Sequence, residues 1–449
     1  MDVNSAFLNG VLEEEVYVEQ PPGYMKAGKE KKVLKLKKAL YGLKQAPRAW
    51  NTRIDSYLKK NRYDQCPFEH ALYVKKNKKK VLFIAVYVDD IIFTGNDEKI
   101  IQEFKEAMTK EFEMTDLGRM KYFLGLEITQ KSSGIFISQE TYAKDVLKKA
   151  NMDDCNPVAT LMELGLKLSK FEGGERVDAN LYRILVGSLR YLTCTRPDIS
   201  FSVGVISRYM EDPKYAHWKA LKRISRYIKG TLSLGLYYSV SNEHKLIGYL
   251  DSDWRGDVDD RKSTSGYVFY MGNTAFTWAF KKQPIVTLST FEAEYVAASW
   301  CVCHAIWLRN LLSELNFEMK EATNIRVDNK SAIELAKNPV HHERSKHIDA
   351  RFHFIREQVK KKTIQLNHVS SRDQAADIFT KALPTELFNN GKIMLGMEDG
   401  RNLNLREEFE GVKFKSTGFV IHYLICLISH MLVMFVLVKY DGSFVSIQL

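Results

Sequence analysis

The sequence predicts a multidomain chain that combines α/β and α+β regions. Its 449 residues are enough for about three domains at roughly 150 residues each. Hydrophobic residues at 45% and charged residues at 27% are ordinary globular values, which exclude a wholly disordered, collagen-like or coiled-coil chain. Short apolar runs typical of strands are interleaved with runs of helical period. We therefore expect most of the chain to fold around large cores.

Strand and helix patterns alternate in the first region, residues 1–138. An amphipathic helix carries Trp50, Ile54 and Leu58 on one face, because these residues recur at helical spacing. The apolar run 81–94 follows a lysine-rich turn and predicts successive strands. This order favours an α/β or α+β domain.

Two further regions differ in pattern. Residues 139–240 are mainly helical, with breaks at prolines and paired glycines, and we expect them to form a helical connection. Residues 241–387 predict three strands, a long helix, a strand, two helices, a strand and a final helix near 373–382. Ser289 and Glu292 have the spacing of a capping box at the start of the long helix.

The charge balance and the cysteines restrict the class of partner. Lys and Arg number 66 against 55 Asp and Glu, giving a net charge of +11. Such an excess suggests a polyanionic partner, although basicity alone does not establish one. The six cysteines have neither paired CxxC motifs nor zinc-site spacing, as expected of reduced thiols in a cytoplasmic or nuclear protein. We expect no disulfide framework.

Both ends of the sequence are unusual. The first residues carry no signal-peptide pattern and already resemble the middle of a fold, so we expect an incomplete chain. In the remaining tail, 388–449, the segment 418–438 is almost continuously apolar and about long enough to cross a bilayer. A membrane anchor and a fortuitous apolar tail both fit this segment. We favour the tail and do not expect a membrane as a partner.

Two adjacent aspartates, Asp89 and Asp90, interrupt the apolar run 81–94. Buried carboxylates cost several kcal/mol each unless a cation compensates them. An acidic hairpin tip is the simpler alternative, but this tip lacks Gly and Asn and both of its flanks are apolar. We therefore favour a metal site, with Asp2 on a neighbouring strand as its third acid.

Four more acids lie at the ends or starts of separate predicted elements. Asp251 ends a strand, Glu294 lies early in the long helix, Asp328 ends the fourth strand and Asp377 lies in the final helix. Each alone is an ordinary solvated acid. Together at one sheet edge they would repel one another without cations.

Four blocks of the first region resemble the reverse transcriptase of copia-type long-terminal-repeat retrotransposons. They are DVNSAFLNG at 2–10, EEEVYVEQPPGY at 13–24, KALYGLKQAPRAW at 38–50 and YVDD at 87–90. The resemblance implies a polymerase palm in which Asp2 and Asp89 bind two Mg²⁺ ions and Asp90 completes the catalytic carboxylates. It also implies an RNA template and deoxynucleotides as substrates.

The same resemblance assigns substrate contacts. Phe7 stands where such enzymes place an aromatic gate against the 2′ hydroxyl of ribonucleotides, although plain core packing is the alternative. Gln45 and Pro47 match the block that lies along the template and incoming nucleotide. The fingers subdomain and first palm strand of such enzymes have no counterpart in this sequence, so we expect polymerisation to be impaired.

The sequences around the other four acids resemble the copia-type ribonuclease H domain. This resemblance implies a mixed five-stranded sheet with helices. It also implies that Asp251, Glu294, Asp328 and Asp377 hold two Mg²⁺ ions and hydrolyse RNA in RNA/DNA hybrids. Asp253 and Glu292 are close alternatives. We prefer Asp251 and Glu294 because they fit the pattern of a strand-end Asp and a helix Glu before an apolar face.

A histidine-rich stretch, 338–357, suggests either a metal cluster or a nucleic-acid contact. It contains His341, His342 and His347, near Glu343 and Asp349. Copia-type chains carry a similar stretch, and we favour contact with the nucleic-acid backbone over zinc, because the cysteines lack matching spacing.

The sequence thus predicts a retrotransposon fragment with a truncated RNA-directed DNA polymerase and a ribonuclease H. The alternative is a non-catalytic remnant, either inert or acting as a basic nucleic-acid-binding module. The presence of all seven acids favours the enzyme.

Overall fold

The structure is a computed structural model that describes residues 1–171, 173–240, 245–337 and 349–403. The chain divides into two compact units. The first comprises Met1–Met120, and the second begins at Lys121. The two units are described separately.

The first unit is an antiparallel sheet with two helices. Its elements are β1 (Asp2–Val3), β2 (Tyr17–Val18), β3 (Leu34–Lys35), α1 (Ala46–Lys60), β4 (Asp64–Gln65), β5 (Leu72–Asn77), β6 (Lys80–Tyr87), β7 (Asp90–Gly95), α2 (Glu98–Glu111) and β8 (Met114–Thr115). The six-stranded sheet has the order β4-β5-β6-β7-β1-β8, with all neighbours antiparallel. Strands β2 and β3 form a separate ribbon.

The core of the first unit follows from its apolar patterns. The predicted face of α1 is buried at Trp50, Ile54 and Leu58, as the helical spacing requires. The apolar run 81–94 folds back on itself as the β6–β7 hairpin, which confirms the prediction of successive strands. Asp97 caps α2 by accepting a hydrogen bond from the Ile100 backbone N at 3.1 Å.

The second unit begins with a sheet and four helices. These elements are β9 (Tyr122–Phe123), β10 (Leu126–Lys131), β11 (Gly134–Ser138), α3 (Glu140–Lys149), α4 (Ala179–Leu192), α5 (Ser200–Ser207), α6 (Tyr215–Gly230) and β12 (Leu234–Ser239). The helices confirm the mainly helical pattern of this region.

The rest of the second unit carries a mixed sheet. Its elements are β13 (Leu246–Ser252), β14 (Thr264–Met271), β15 (Ala275–Lys282), α7 (Thr290–Glu314), β16 (Thr323–Val327), α8 (Lys330–Lys337), α9 (Asp349–Lys360), β17 (Ile364–His368), α10 (Thr385–Met394) and β18 (Met397–Asp399). The sheet order is β15-β14-β13-β16-β17. Strands β13, β14 and β15 are antiparallel, whereas β13–β16 and β16–β17 are parallel. The predicted mixed five-stranded sheet is therefore present.

One predicted helix is wrong. The segment 373–382 forms two short 3₁₀ turns, Ser371–Asp373 and Ala375–Phe379, instead of a continuous α-helix. Gln374 separates them because its backbone is extended, with φ −82° and ψ 95°. Its side-chain oxygen accepts a hydrogen bond from the Ala376 backbone N at 3.2 Å and so begins the second turn.

The two sheets of the second unit are tied together near the end of the described chain. Strand β18 pairs with β12 in a five-stranded sheet of order β18-β12-β11-β10-β9. The Ala275 backbone N donates to the Leu395 carbonyl at 3.1 Å, and the Tyr238 hydroxyl donates to the Ala275 carbonyl at 3.1 Å. Residues that the sequence analysis assigns to the tail thus complete the fold of this unit.

Two predictions fall on residues outside the described ranges. They concern the apolar segment 418–438 and the histidines His341, His342 and His347 with Glu343. Within the described ranges, every helix is too short or too polar to cross a membrane.

Candidate active sites

The three acids predicted in the first unit share one end of the sheet. Asp2 on β1 lies opposite Asp90 on β7 in the antiparallel register. The Val3 backbone N donates to the Asp89 carbonyl at 3.0 Å, which holds β1 against the turn between β6 and β7. Burial, followed by the charges of Asp89 and Asp2, raises the pKa of Asp90 to about 6. The three carboxylates therefore repel one another across the two strands.

The turn that presents Asp89 and Asp90 has a strained residue and a buried anchor. Val88 has φ 53°, in the left-handed region that β-branched residues rarely adopt. The buried Trp50 donates its indole Nε1–H to the Val88 carbonyl and fixes the turn from α1. The sequence predicted Trp50 only as part of the buried face of α1. Its position in the block KALYGLKQAPRAW is the sequence feature that could have indicated a role near the site.

The predicted substrate residues lie in two places. Phe7 belongs to the 3₁₀ turn Ala6–Asn9 and packs, half-buried, against the core, with its ring centroid 5.8 Å from that of the exposed Tyr41. Gln45 is the residue before α1, and Pro47 is exposed in the first turn of that helix. Phe7 therefore has core contacts in this fold. Gln45 and Pro47 lie at the surface, at the start of α1.

Four elements converge on the predicted acids of the second unit. Strands β13 and β16 run parallel with Tyr249 opposite Arg326, so two residues further on Asp251 is level with Asp328. Helix α7 brings Glu294 to the same edge of the sheet. Ligand atoms of Asp251, Glu294 and Asp328 all lie within 4.8 Å of one another. Among the described residues, no other three His, Cys, Asp or Glu side chains meet this criterion.

Burial makes this cluster electrostatically unfavourable in the absence of cations. Asp251 and Glu294 are each only 3% exposed. Burial, then Asp251 and Asp328, raises the pKa of Glu294 well above its usual range. Burial and Asp251 likewise raise the pKa of Asp328. Asp251 therefore disfavours ionisation of both Glu294 and Asp328.

Asp377, the fourth predicted acid, lies beside the cluster with two residues that sequence reasoning missed. The Thr380 hydroxyl donates to Asp251 Oδ2. Lys381 Nζ lies 3.0 Å from Asp377 Oδ1 and 3.5 Å from Asp251 Oδ2. Burial and Asp251 raise the pKa of Asp377 to about 7, although Lys381 acts in the opposite direction. The i, i+4 spacing of Asp377 and Lys381 is the sequence feature from which this pair could have been predicted.

The two alternative acids make other contacts. Asp253 accepts a hydrogen bond from the Thr264 backbone N, and burial raises its pKa to about 6. Glu292 accepts a hydrogen bond from the Leu288 backbone N, at the start of α7. Neither belongs to the set of carboxylates within 4.8 Å.

The residues present in the second unit fit a divalent cation. The donor atoms are all carboxylate oxygens, which hard ions such as Mg²⁺ prefer. Glu294 Oε1 is buried and has no hydrogen-bond partner among the described residues, a state that buried polar atoms rarely show. A cation ligated there would satisfy this oxygen and relieve the repulsion among the acids.

Comparisons with known proteins identify relatives of this chain. A family model for reverse transcriptase (RNA-dependent DNA polymerase) matches residues 1–164. The Pol polyprotein of transposon RE2 from Arabidopsis thaliana is 40% identical over 397 residues, which are 88% of this chain and 27% of the polyprotein. The Pol polyprotein of transposon TNT 1-94 from Nicotiana tabacum is 42% identical over 407 residues, 88% of this chain and 30% of the polyprotein.

A shorter relative is matched over nearly its whole length. The transposon Ty5-1 protein YCL074W of Saccharomyces cerevisiae is 34% identical over 302 residues, 67% of this chain and 98% of the relative. A solved ribonuclease H1 in complex with an RNA/DNA hybrid is similar over 30% of this chain and 94% of its own, at 15% identity and a TM-score of 0.24, too low to support an argument.

The sequence relatives define the family of this chain. This chain belongs to the reverse transcriptase family of copia-type retrotransposon Pol polyproteins. It spans about a quarter to a third of the length of the plant polyproteins that it matches.

Proposed function

We propose that the second unit hydrolyses the RNA strand of RNA/DNA hybrids and that the first unit copies an RNA template into DNA. The convergence of Asp251, Glu294 and Asp328 within 4.8 Å, from three separate elements, carries the ribonuclease proposal. Residues 1–138 would then be a palm, 139–240 a connection and 241–387 the ribonuclease H domain.

In the ribonuclease site, the chain's own residues hold and compensate charge. Asp251, Glu294, Asp328 and Asp377 would ligate two Mg²⁺ ions, which when bound activate water and stabilise the leaving oxyanion of a phosphodiester. The Thr380 hydroxyl orients Asp251 by donating to Oδ2. Lys381 adds a positive charge at the rim, where a phosphate would approach.

In the polymerase site, β1 and the β6–β7 turn supply the acids. Asp2 and Asp89 would hold two Mg²⁺ ions, with Asp90 as the third carboxylate. Trp50 holds the Val88 carbonyl and with it the turn that carries Asp89. Phe7, Gln45 and Pro47 are the proposed contacts to template and deoxynucleotide, Phe7 by excluding a 2′ hydroxyl.

A second candidate function is nucleic-acid binding without turnover. The observation that favours it is the net charge of +11, which supports binding to a phosphate backbone whether or not catalysis occurs. The two candidates differ in one measurable property, the dependence of product formation on single carboxylates.

The decisive experiment uses the full chain with a labelled RNA/DNA hybrid, in Mg²⁺ and in EDTA. We expect cleavage of the RNA strand that requires Mg²⁺ and falls about 100-fold or more in Asp328→Asn. Asp153→Asn, which changes an exposed acid of the same unit, is the matched control and should cleave like the wild type. Hybrid binding without cleavage by the folded wild type would instead support the binding module.

Primer extension tests the first unit separately. The full chain, an RNA template, a DNA primer and deoxynucleotides should give extension that is weak, as expected of impaired polymerisation, and that Asp89→Asn abolishes and Asp153→Asn preserves. Extension that is unchanged in Asp89→Asn would contradict the proposed polymerase site, whatever the result of the cleavage assay.

A further inference from the structure

Two buried glutamines of the second unit connect the backbone segments that carry the clustered acids. Gln283 follows β15, and Gln374 separates the two 3₁₀ turns near Asp377. They are 3% and 4% exposed. Among the described residues, neither glutamine side chain is hydrogen-bonded to a carboxylate of the cluster. Both bond instead to residues adjacent in sequence to those acids.

Gln283 links the strand of Asp251 to the helix of Glu294. Its Nε2 lies 2.8 Å from the Ala293 carbonyl, 2.9 Å from Ser265 Oγ and 3.1 Å from Ser252 Oγ. Ala293 precedes Glu294, and Ser252 follows Asp251. The two hydrogens of this amide are shared among the three acceptors, so the Gln283 side chain bridges β13, β14 and α7 near the points where β13 and α7 present their acids.

Gln374 links the same strand to the turn that carries Asp377. Its Nε2 donates to the Leu250 carbonyl at 2.9 Å, and its Oε1 accepts from the Ala376 backbone N at 3.2 Å. Leu250 precedes Asp251, and Ala376 precedes Asp377. Asp251 is therefore held on both sides, by Gln374 through the residue before it and by Gln283 through the residue after it.

We propose that Gln283 and Gln374 are positioning residues that set the spacing of Asp251, Glu294 and Asp377 for cation binding. Because they bond neighbouring residues, the two glutamines themselves occupy no carboxylate oxygen of the cluster. Because they are neutral, they add no charge to a crowded acidic site. Removing such outer contacts at a metal site commonly costs 10–100-fold in metal affinity or activity. This inference rests on the proposed ribonuclease function.

The test compares Gln283→Met and Gln374→Met with Gln139→Met in the full chain. Methionine keeps a similar length but removes the amide. Gln139 is the matched control because it is 2% exposed, lies in the same unit and accepts from Thr195 Oγ1 at 2.8 Å, without contact to the acids. Calorimetric Mg²⁺ titration, melting temperature in EDTA, and the kcat and KM for hybrid cleavage are measured for each.

We expect the first two variants to weaken Mg²⁺ binding about 10-fold and to lower kcat, with KM for the hybrid within about twofold of wild type. Gln139→Met should lower the melting temperature while Mg²⁺ affinity stays unchanged. If one methionine variant does not fold, the other decides the test, because each glutamine bonds a residue next to Asp251 and neither substitution adds charge.

The outcomes separate the two proposals. Wild-type Mg²⁺ affinity in both site variants, beside an active wild-type enzyme, would overturn the positioning role alone. A folded wild type that neither binds Mg²⁺ nor cleaves the hybrid would overturn the proposed function, and this inference with it.

Discussion

The two acidic sites of this chain differ in how their charges are placed. In the first unit, Asp2 and Asp90 lie on two adjacent strands, and Asp89 is exposed at the hairpin turn before Asp90. In the second, four acids come from four elements, Asp251 and Glu294 are buried, and Lys381 lies beside them. Buried charge costs far more than exposed charge. Cations should therefore govern the stability of the second unit much more than that of the first.

Glu294→Gln gives the largest expected effect. Burial, Asp251 and Asp328 already disfavour the ionised form of Glu294, and the amide cannot ionise at all, so the melting temperature in EDTA should rise. Hybrid cleavage should fall about 100-fold or more, because one ligand is lost. Scanning calorimetry in EDTA and in Mg²⁺, with cleavage rates, checks both effects.

Asp89→Asn is the counterpart of that variant in the first unit. Because Asp89 is exposed, its melting curve in EDTA should match that of the wild type. A rise as large as that of Glu294→Gln would remove the distinction between the two sites.

Asp257→Asn sharpens the comparison within the second unit, because Asp257 is a buried acid whose charge is balanced by two cationic side chains. Lys282 Nζ lies 2.6 Å and Arg208 Nη1 3.0 Å from its Oδ2. Burial raises the pKa of Asp257, but Lys282, the Asp260 backbone N–H and Arg208 together outweigh burial and lower it to about 2. The substitution should therefore destabilise the unit at pH 7, by about 3 kcal/mol.

The pH dependence gives the sign of this contribution. A depressed carboxyl pKa stabilises the fold above the unfolded value of 3.8, and the contribution is lost as pH falls towards 2. The difference in unfolding free energy between wild type and Asp257→Asn should be constant from pH 7 to about 5 and shrink below about 4. If urea titrations showed that this difference in unfolding free energy stays constant down to about pH 2.5, they would contradict the pairing of Asp257 with Lys282 and Arg208.

Lys381→Met tests the counter-charge at the acid cluster. Without the ammonium near Asp377 and Asp251, the unit should lose about 1 kcal/mol of stability in EDTA, since Lys381 is partly exposed. Mg²⁺ should reduce the loss by neutralising the same acids. The matched control is Lys361→Met, which breaks an exposed i, i+4 pair with Glu357 and should leave stability unchanged in both conditions. Equal losses of stability in EDTA and in Mg²⁺ would show that Lys381 does not stabilise the acid cluster.

Much of the fold was predictable because it follows local periodicity. The buried face of α1, the successive strands within 81–94 and the order along the chain of the strands and helices from β13 to β17 follow from spacing that a short window of sequence contains. The mixed five-stranded sheet was implied by the resemblance and not by spacing. The acids of the second unit were predicted as a set from the resemblance of the sequences around them to a ribonuclease H domain, and each was also placed near the end or the start of a predicted element. Their proximity then follows from parallel pairing of β13 and β16.

The remaining features depend on contacts between distant residues. Strand β18 is three residues long, too short for any periodic signal, and it forms only by pairing with β12 more than 150 positions earlier. The break at Gln374 depends on a side chain that bonds the Leu250 carbonyl. Thr380, Gln283 and Gln374 are single polar residues, and their role appears only when the strands that they connect are placed.

Val88→Asn tests the first site alone, with an expected effect no larger than that of Lys381→Met. Val88 has φ 53° and is 44% exposed, so the substitution loses little packing and relieves left-handed strain, which Asn tolerates. The first unit should gain about 1 kcal/mol in urea unfolding, with hybrid cleavage unchanged. Val33→Asn is the control, since Val33 is 53% exposed without a positive φ. Loss of stability in both variants would show that the turn is relaxed. A gain accompanied by weaker primer extension would show that the strained turn sets the position of Asp89, a positioning device unlike the glutamine bonds of the second unit.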